Sequence, residues 1–164
     1  MKTTVLYYSK SGNTKKMAEI IAEGMSSVEG VSAKTFSIDE IDENWIKESK
    51  CIVLGTPIYM ANMCGAVKMW LEKPNMNYEM SGKIGGAFAT ADYVHGGGEL
   101  GIQTILDHLL VRGMLTYSGG GAYGKPVIHL GPVAIKDHLD ESKETFEIYG
   151  KRMALKTKEL FQHD

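Results

Sequence analysis

VLYYSKSGNTKKMAEIIAEG, residues 5–24, sets a short apolar run against a polar hexad and then a helical repeat. The run closes a strand that begins at Thr3. Met17, Ile20, Ile21, Gly24, Met25 and Val28 then recur on one face of a helix. The hexad SKSGNT, residues 9–14, therefore lies where the carboxyl end of a strand meets the amino end of a helix. Unpaired backbone amides and the positive end of the helix dipole favour an anion at such a place. Ser9, Ser11, Asn13 and Thr14 add short donors, and Gly12 permits a tight turn around a phosphate. The same residues also make an ordinary helix N-cap, and the loop alone supports both readings. Neither G-x-x-x-x-G-K-[ST] nor G-x-G-x-x-G is present, which removes two better-known phosphate binders.

Outward from this step the pattern alternates. Val31 to Phe36 reads as a second strand and Ile41 to Lys47 as a short helix. Cys51-Ile52-Val53-Leu54 is a continuous apolar run of the kind covered on both faces. Ala66, Val67, Trp70 and Leu71 stripe a helix closed by Pro74, and Ile84 to Thr90 is a small-residue strand. Ile102, Ile105, Leu106, Leu109 and Leu110 stripe the next helix, which stops at Gly113. Met114 to Tyr117 is the fifth strand, and residues 140–162 form a closing helix with Phe146, Tyr149, Met153 and Leu160 inward. Five strands alternating with helices predict an α/β fold, a doubly wound parallel sheet with helices on both faces.

With 164 residues, 43% of them hydrophobic, the sequence suits one domain spanning 1–164. Its 18 basic and 20 acidic residues give a net charge of −2 and no massed basic face, which excludes nucleic acid as a partner. No run approaches the roughly 20 apolar residues of a membrane span, and Met1-Lys2-Thr3-Thr4 is no signal peptide. Cys51 and Cys64 lack disulfide-scaffold or metal-ligand spacing, so no metal is expected and the reading is a cytoplasmic protein.

Glycine concentrates where strands end, the edge at which open parallel sheets bind ligands. Two further loops share that edge. In GTPIYMANMCG, residues 55–65, Pro57 sets a rigid turn, Tyr59 and Met60 offer flat and polarisable surface, and Asn62 offers an amide. In TADYVHGGGE, residues 90–99, Thr90, Asp92, Tyr93 and His95 supply donors, acceptors and an aromatic wall, and Gly96 to Gly98 let the next helix start close to a ligand. His95 suits a proton donor, or a hydrogen-bonding partner for Glu99. Either loop alone also fits ordinary core packing; the three on one edge form the signal.

Four blocks carry a resemblance along nearly the whole chain: residues 5–24, GTPIYMANMCGAVKMWLE (55–72), GKIGGAFATADYVHGGGE (82–99) and RGMLTYSGGGAYG (112–124). The chain resembles flavodoxin-like FMN proteins, most closely NAD(P)H:quinone reductases of the WrbA type. The resemblance implies strand order 2-1-3-4-5 and FMN at the switch point. Ser9, Ser11, Gly12, Asn13 and Thr14 would hold its phosphate. Pro57, Ile58, Tyr59, Met60, Ala61 and Asn62, with Thr90, Ala91, Asp92 and Tyr93, would bracket its ring, and His95 and Tyr93 would be the catalytic candidates. It further implies NADH or NADPH as electron donor, and either a quinone-like small molecule or a redox protein as acceptor.

Three departures mark the limits of that likeness. The quinone reductases carry a longer segment where this chain has Ser37 to Ser49, so their tetramer is in question and a homodimer or tetramer stays open, with Trp45, Trp70 and the Tyr117 to Tyr123 loop as interface candidates. Val111-Arg112-Gly113-Met114 stands where they have His-His-Gly-Met, leaving Arg112 either to contact a phosphate or carboxylate or to serve as a helix C-terminal cation. Ala61 stands where Gly is common beside the flavin, which implies a weakly stabilised one-electron-reduced flavin and net two-electron chemistry. A carrier flavodoxin remains the alternative, although a net charge of −2 is small for one.

Overall fold

The computed structural model describes residues 1–73 and 78–162. β1 (Lys2–Tyr7) leads into α1 (Asn13–Ser26), followed by β2 (Ser32–Ser37), α2 (Glu43–Glu48) and β3 (Cys51–Tyr59). A two-residue strand, β4 (Asn62–Met63), precedes α3 (Gly65–Leu71), and β5 (Ile84–Ala91) precedes α4 (Gly98–Val111). β6 (Leu115–Thr116), β7 (Val133–Ile135), two 3₁₀ turns and α5 (Lys143–Phe161) complete the chain. Pro74, read as the stop of the third helix, lies outside the described residues.

The sheet runs β2-β1-β3-β5-β6, which is the expected order once the hairpin strand β4 is set aside. Every pairing is parallel except β3 with β4. β5 is buried along its whole length, as a central strand covered on both faces must be. Its alternate residues enter two cores: Phe88 packs with Met17, Ile21, Phe146 and Tyr149 under α1 and α5, while Ala87 and Ala89 pack with Val67, Ile102 and Leu109 under α3 and α4. α1 and α5 cross backbone to backbone, because a Cβ on Gly24 would overlap the Glu147 carbonyl and one on Gly150 the Ile21 carbonyl.

The structure corrects four local expectations. The fifth strand is divided: β6 pairs with the start of β5 at Ile84 and Gly85, and β7 pairs with its end from Ala89 to Ala91. Residues 117–132 leave the sheet between them, and a three-residue strand behind Gly131-Pro132 carries too short a pattern to be read from sequence. The closing helix starts at Lys143, after turns at 136–138 and 140–142. Leu110 and Leu160 face solvent, 55% and 50% exposed, because Leu109 and Thr157 take the inward positions. Trp70 is buried and stacks on Tyr78, so it belongs to the core and to no interface, and the Trp45 indole donates to the Thr3 carbonyl at 3.1 Å.

Candidate functional site

α1 opens at Gly12, whose φ of +94° is the left-handed conformation that glycine adopts without strain. The Gly12 amide donates to Ser9 Oγ at 3.1 Å, closing the turn. The first ladder bond runs from the Lys16 amide to the Gly12 carbonyl at 2.9 Å, so the amides of Asn13, Thr14 and Lys15 have no intrahelical acceptor. No carboxylate occupies the first turn, and nothing lies within 4 Å of the space a Gly12 Cβ would take. These features fit a phosphate: donors in a cluster, open space in front of them and no competing anion. Ser11 is exposed and Asn13 half-buried, while Thr14 is 2% exposed and its Oγ1 lies 2.8 Å from Thr90 Oγ1.

The second loop is a two-residue hairpin. Tyr59 pairs with Asn62 and Ile58 with Met63, leaving Met60 and Ala61 at the tip with φ of +50° and +65°. Both central residues of such a turn need positive φ, and two L side chains there cost roughly 1 kcal/mol each. Ala61 therefore already carries the positive-φ cost in this hairpin. Met60 is 98% exposed, Tyr59 half-exposed, and Pro57 pairs with Thr90 in the sheet. Ile58 is turned inward, its Cδ1 filling the space beside Gly101 on α4. Asn62 Oδ1 accepts from the Met63 amide at 2.7 Å.

In the third loop Ala91 is buried at the end of β5, and Asp92, Tyr93, Val94 and His95 are exposed. Burial, with the nearby charges of Cys64, Tyr8 and Asp92, raises the Tyr59 phenol above its usual range. The second and third loops therefore lie within electrostatic reach of each other. His95 does not bond to Glu99, and among the described residues it has no hydrogen bond or ion pair. Gly97 and Gly98 make a different approach from the expected one: a Cβ on Gly97 would overlap the Ala61 carbonyl, and one on Gly98 would lie 2.7 Å from Val133 Cγ1. They admit the hairpin and β7, not a ligand. Arg112 lies at the far edge, its Nη2 donating to the carbonyls of Leu71 and Lys73 at 2.6 and 2.7 Å, which caps α3 and excludes a contact with the phosphate loop.

A fourth loop was missed. Residues 136–142 follow β7 and return to the site edge, where Asp140 Oδ1 accepts from Lys16 Nζ at 3.0 Å and Lys143 Nζ at 2.9 Å. Between this loop and the third lies a cavity of about 540 Å³ bounded by Asp92, Tyr93, Ile135, Asp137 and His138. His138 Nδ1 pairs with Glu141 at 2.8 Å, which raises the imidazole pKa. Its only sequence signal was the carboxylate-rich run KDHLDES, residues 136–142, of which Asp140 to Ser142 were read as the start of the closing helix.

Charge is unevenly placed. The loops after β1, β2, β5 and β7 hold seven carboxylates, Asp39, Glu40, Asp42, Asp92, Asp137, Asp140 and Glu141, against Lys10 and Lys136. The opposite edge carries Lys50, Lys73, Lys83 and Arg112 in its loops against Glu29, Glu72 and Glu79. A net charge of −2 thus conceals a site edge that is strongly acidic. Among the described residues no cluster could hold a metal ion, and no helix is long and apolar enough to cross a membrane. Cys51 and Cys64 are both buried and free, and burial pushes the Cys51 thiol up to about 12.

A doubly wound parallel sheet with a helix start suited to an anion at the switch between β1 and β3 is the architecture of mononucleotide-binding proteins. The flavodoxin family model matches residues 5–93. The flavodoxin of Clostridium saccharobutylicum is 41% identical over 161 residues, which is 98% of this chain and 100% of that one. An NAD(P)H dehydrogenase (quinone) of Solidesulfovibrio magneticus is 28% identical, over 78% of this chain and 84% of its own. In fold, the flavodoxin, WrbA-like protein from Agrobacterium tumefaciens superposes with a TM-score of 0.78 at 24% identity, covering 99% of each chain. The chain belongs to the flavodoxin family, whose cofactor is FMN.

Proposed function

We propose that this protein is an FMN-carrying electron-transfer protein that docks its acidic cofactor edge on basic redox proteins. The observation that carries this reading is the composition of that edge. An exposed apolar centre of Tyr59, Met60, Tyr93 and Val94 is flanked by carboxylates of the three loops after β2, β5 and β7. Such charge steers a basic partner into orientation, and the apolar centre gives a dry contact once docked. The local charge also answers the objection raised by a small net charge.

In this reading the amides of Asn13 to Lys15, with Ser9, Ser11, Gly12 and Thr14, hold the phosphate. Pro57 through Asn62 and Ala91 through Tyr93 flank the ring, while Thr90, hydrogen-bonded to Thr14, sits toward the phosphate end. Bound FMN supplies the one- and two-electron chemistry. The protein orients it, and Tyr59 and Tyr93 keep water from its faces. With its pKa raised, the Tyr59 phenol stays a neutral donor across the physiological range.

A second reading is direct transfer of a hydride from NADH or NADPH and of two electrons to a quinone. The 28% identical NAD(P)H dehydrogenase (quinone) favours it, as does the cavity beside Tyr93, and His95 would be its exposed proton donor. The acidic edge opposes it, because a nicotinamide nucleotide brings at least two phosphates to an edge of like charge.

The test is to purify the protein, record its flavin absorbance, reduce it with dithionite and mix it with cytochrome c, a basic haem protein. The carrier reading expects a yellow protein and a rapid second-order reaction that slows steeply as salt rises. A colourless protein that takes up no FMN, or a rate indifferent to salt, would overturn it.

A further inference from the structure

Thr90 is the penultimate residue of the central strand, paired with Pro57 of β3 and Ala134 of β7, and its side chain enters the α1 side of the sheet. There its hydroxyl meets that of Thr14 at 2.8 Å, with the two residues 5% and 2% exposed. No other hydrogen bond is formed by either hydroxyl among the described residues. We infer that Thr90 is a positioning residue for the phosphate loop, setting the place and the proton direction of the Thr14 hydroxyl in the first turn of α1. This inference rests on the FMN reading above.

The argument is one of donor supply. Two hydroxyls in a pair share one hydrogen bond, and the second proton is left over. An anion at the start of α1 only accepts, so the favoured polarity has Thr90 donating to Thr14 and the Thr14 proton left for the anion. The reversed pair would present a lone pair to a negative charge. Thr90 thus acts on the phosphate through Thr14, from a buried position in the strand that leads to Asp92 and Tyr93. A sequence reading places Thr90 at the ring; the contact with Thr14, 76 residues away, moves its hydroxyl to the phosphate end.

Riboflavin is the probe that separates this role from general packing, since it carries the same ring without the phosphate. Thr90→Val removes the donor while keeping a β-branched side chain of similar size. Affinities for FMN and riboflavin are measured by fluorescence quenching on the apoprotein of wild type, Thr90→Val and Thr90→Ser. The expected result is a loss of about five- to tenfold in FMN affinity for Thr90→Val, riboflavin affinity within about twofold, and recovery of the FMN to riboflavin ratio in Thr90→Ser. In a double-mutant cycle, Thr90→Val adds nothing further once Thr14→Val is present. Equal loss for both ligands, no loss for either, or additive effects in the cycle would overturn the inference while leaving the FMN reading intact. Failure of the wild-type protein to bind FMN would overturn both. Should Thr90→Val not fold, Thr90→Ser and Thr14→Val decide: an FMN to riboflavin ratio unlike wild type in Thr90→Ser, or one like wild type in Thr14→Val, would overturn the inference.

Discussion

The carbonyl of Ala61, at the tip of one hairpin, lies where a side chain on Gly97 would begin. Gly97 is also the residue before α4, with a φ of +94°. One position therefore serves two needs, a left-handed backbone and the close seating of the β3–β4 hairpin on α4. Gly97→Ala is expected to destabilise the protein by about 2–4 kcal/mol, since it adds overlap with a backbone atom to the positive-φ cost. Gly30 has a φ of +79° and nothing within 4 Å, so Gly30→Ala should cost only about 1 kcal/mol. Urea unfolding of the two variants checks the contrast.

Met60 and Ala61 occupy the two positions of the hairpin where Asn and Gly are preferred. Replacing both, Met60→Asn with Ala61→Gly, is expected to raise the stability of the apoprotein by about 1 kcal/mol, seen as a higher urea midpoint at unchanged slope. Because the strain sits beside the proposed ring site, the same variant should shift the separation between the first and second reduction potentials of the flavin. An unchanged midpoint would show that the tip is not strained.

Lys83 is buried at the opposite edge, where its ammonium donates to the carbonyls of Ile46, Lys47 and Tyr78 at 2.6, 2.9 and 3.1 Å. Burial lowers its pKa from 10.5 to about 8. Between those values the folded chain has released a proton that the unfolded chain still holds, so this group makes stability rise with pH from about 8 to 10.5, by roughly 1–3 kcal/mol. Lys83→Met should abolish that rise, and at pH 7 it should cost about 2 kcal/mol because three carbonyls lose their donor. Denaturation midpoints at several pH values report both effects.

The acidic edge makes a kinetic prediction. Asp92→Asn, Asp137→Asn and Glu141→Gln together should slow electron transfer to cytochrome c about tenfold at low ionic strength, and the rates of variant and wild type should converge at high salt. Stopped-flow traces of the reduced proteins give the comparison.

Much of this was legible in the sequence because the signals were local. The β1 to α1 step showed in Val5 to Val28, a continuous apolar run located β3, and a run of small residues located β5. What escaped depended on long-range placement. β7 is three residues long and is recognisable only by its pairing with Ala89 to Ala91. Thr90 looked like a loop donor until the fold turned it toward Thr14, and Arg112 resolved into a cap on α3 once the two helix ends met. Net charge gave no sign of the acidic edge, since the loops of Asp39 and Glu141 reach the same sheet edge only when the sheet is wound.

The central claim is that electrons leave and enter through a docked protein and not through a nicotinamide nucleotide. Steady-state oxidation of NADH and of NADPH by the FMN-loaded protein, with benzoquinone, with menadione and without acceptor, tests it most directly. The account predicts no turnover above the uncatalysed rate with either nucleotide, while the same preparation still passes electrons to cytochrome c. Sustained, enzyme-dependent turnover with NADH or NADPH and a quinone would contradict it.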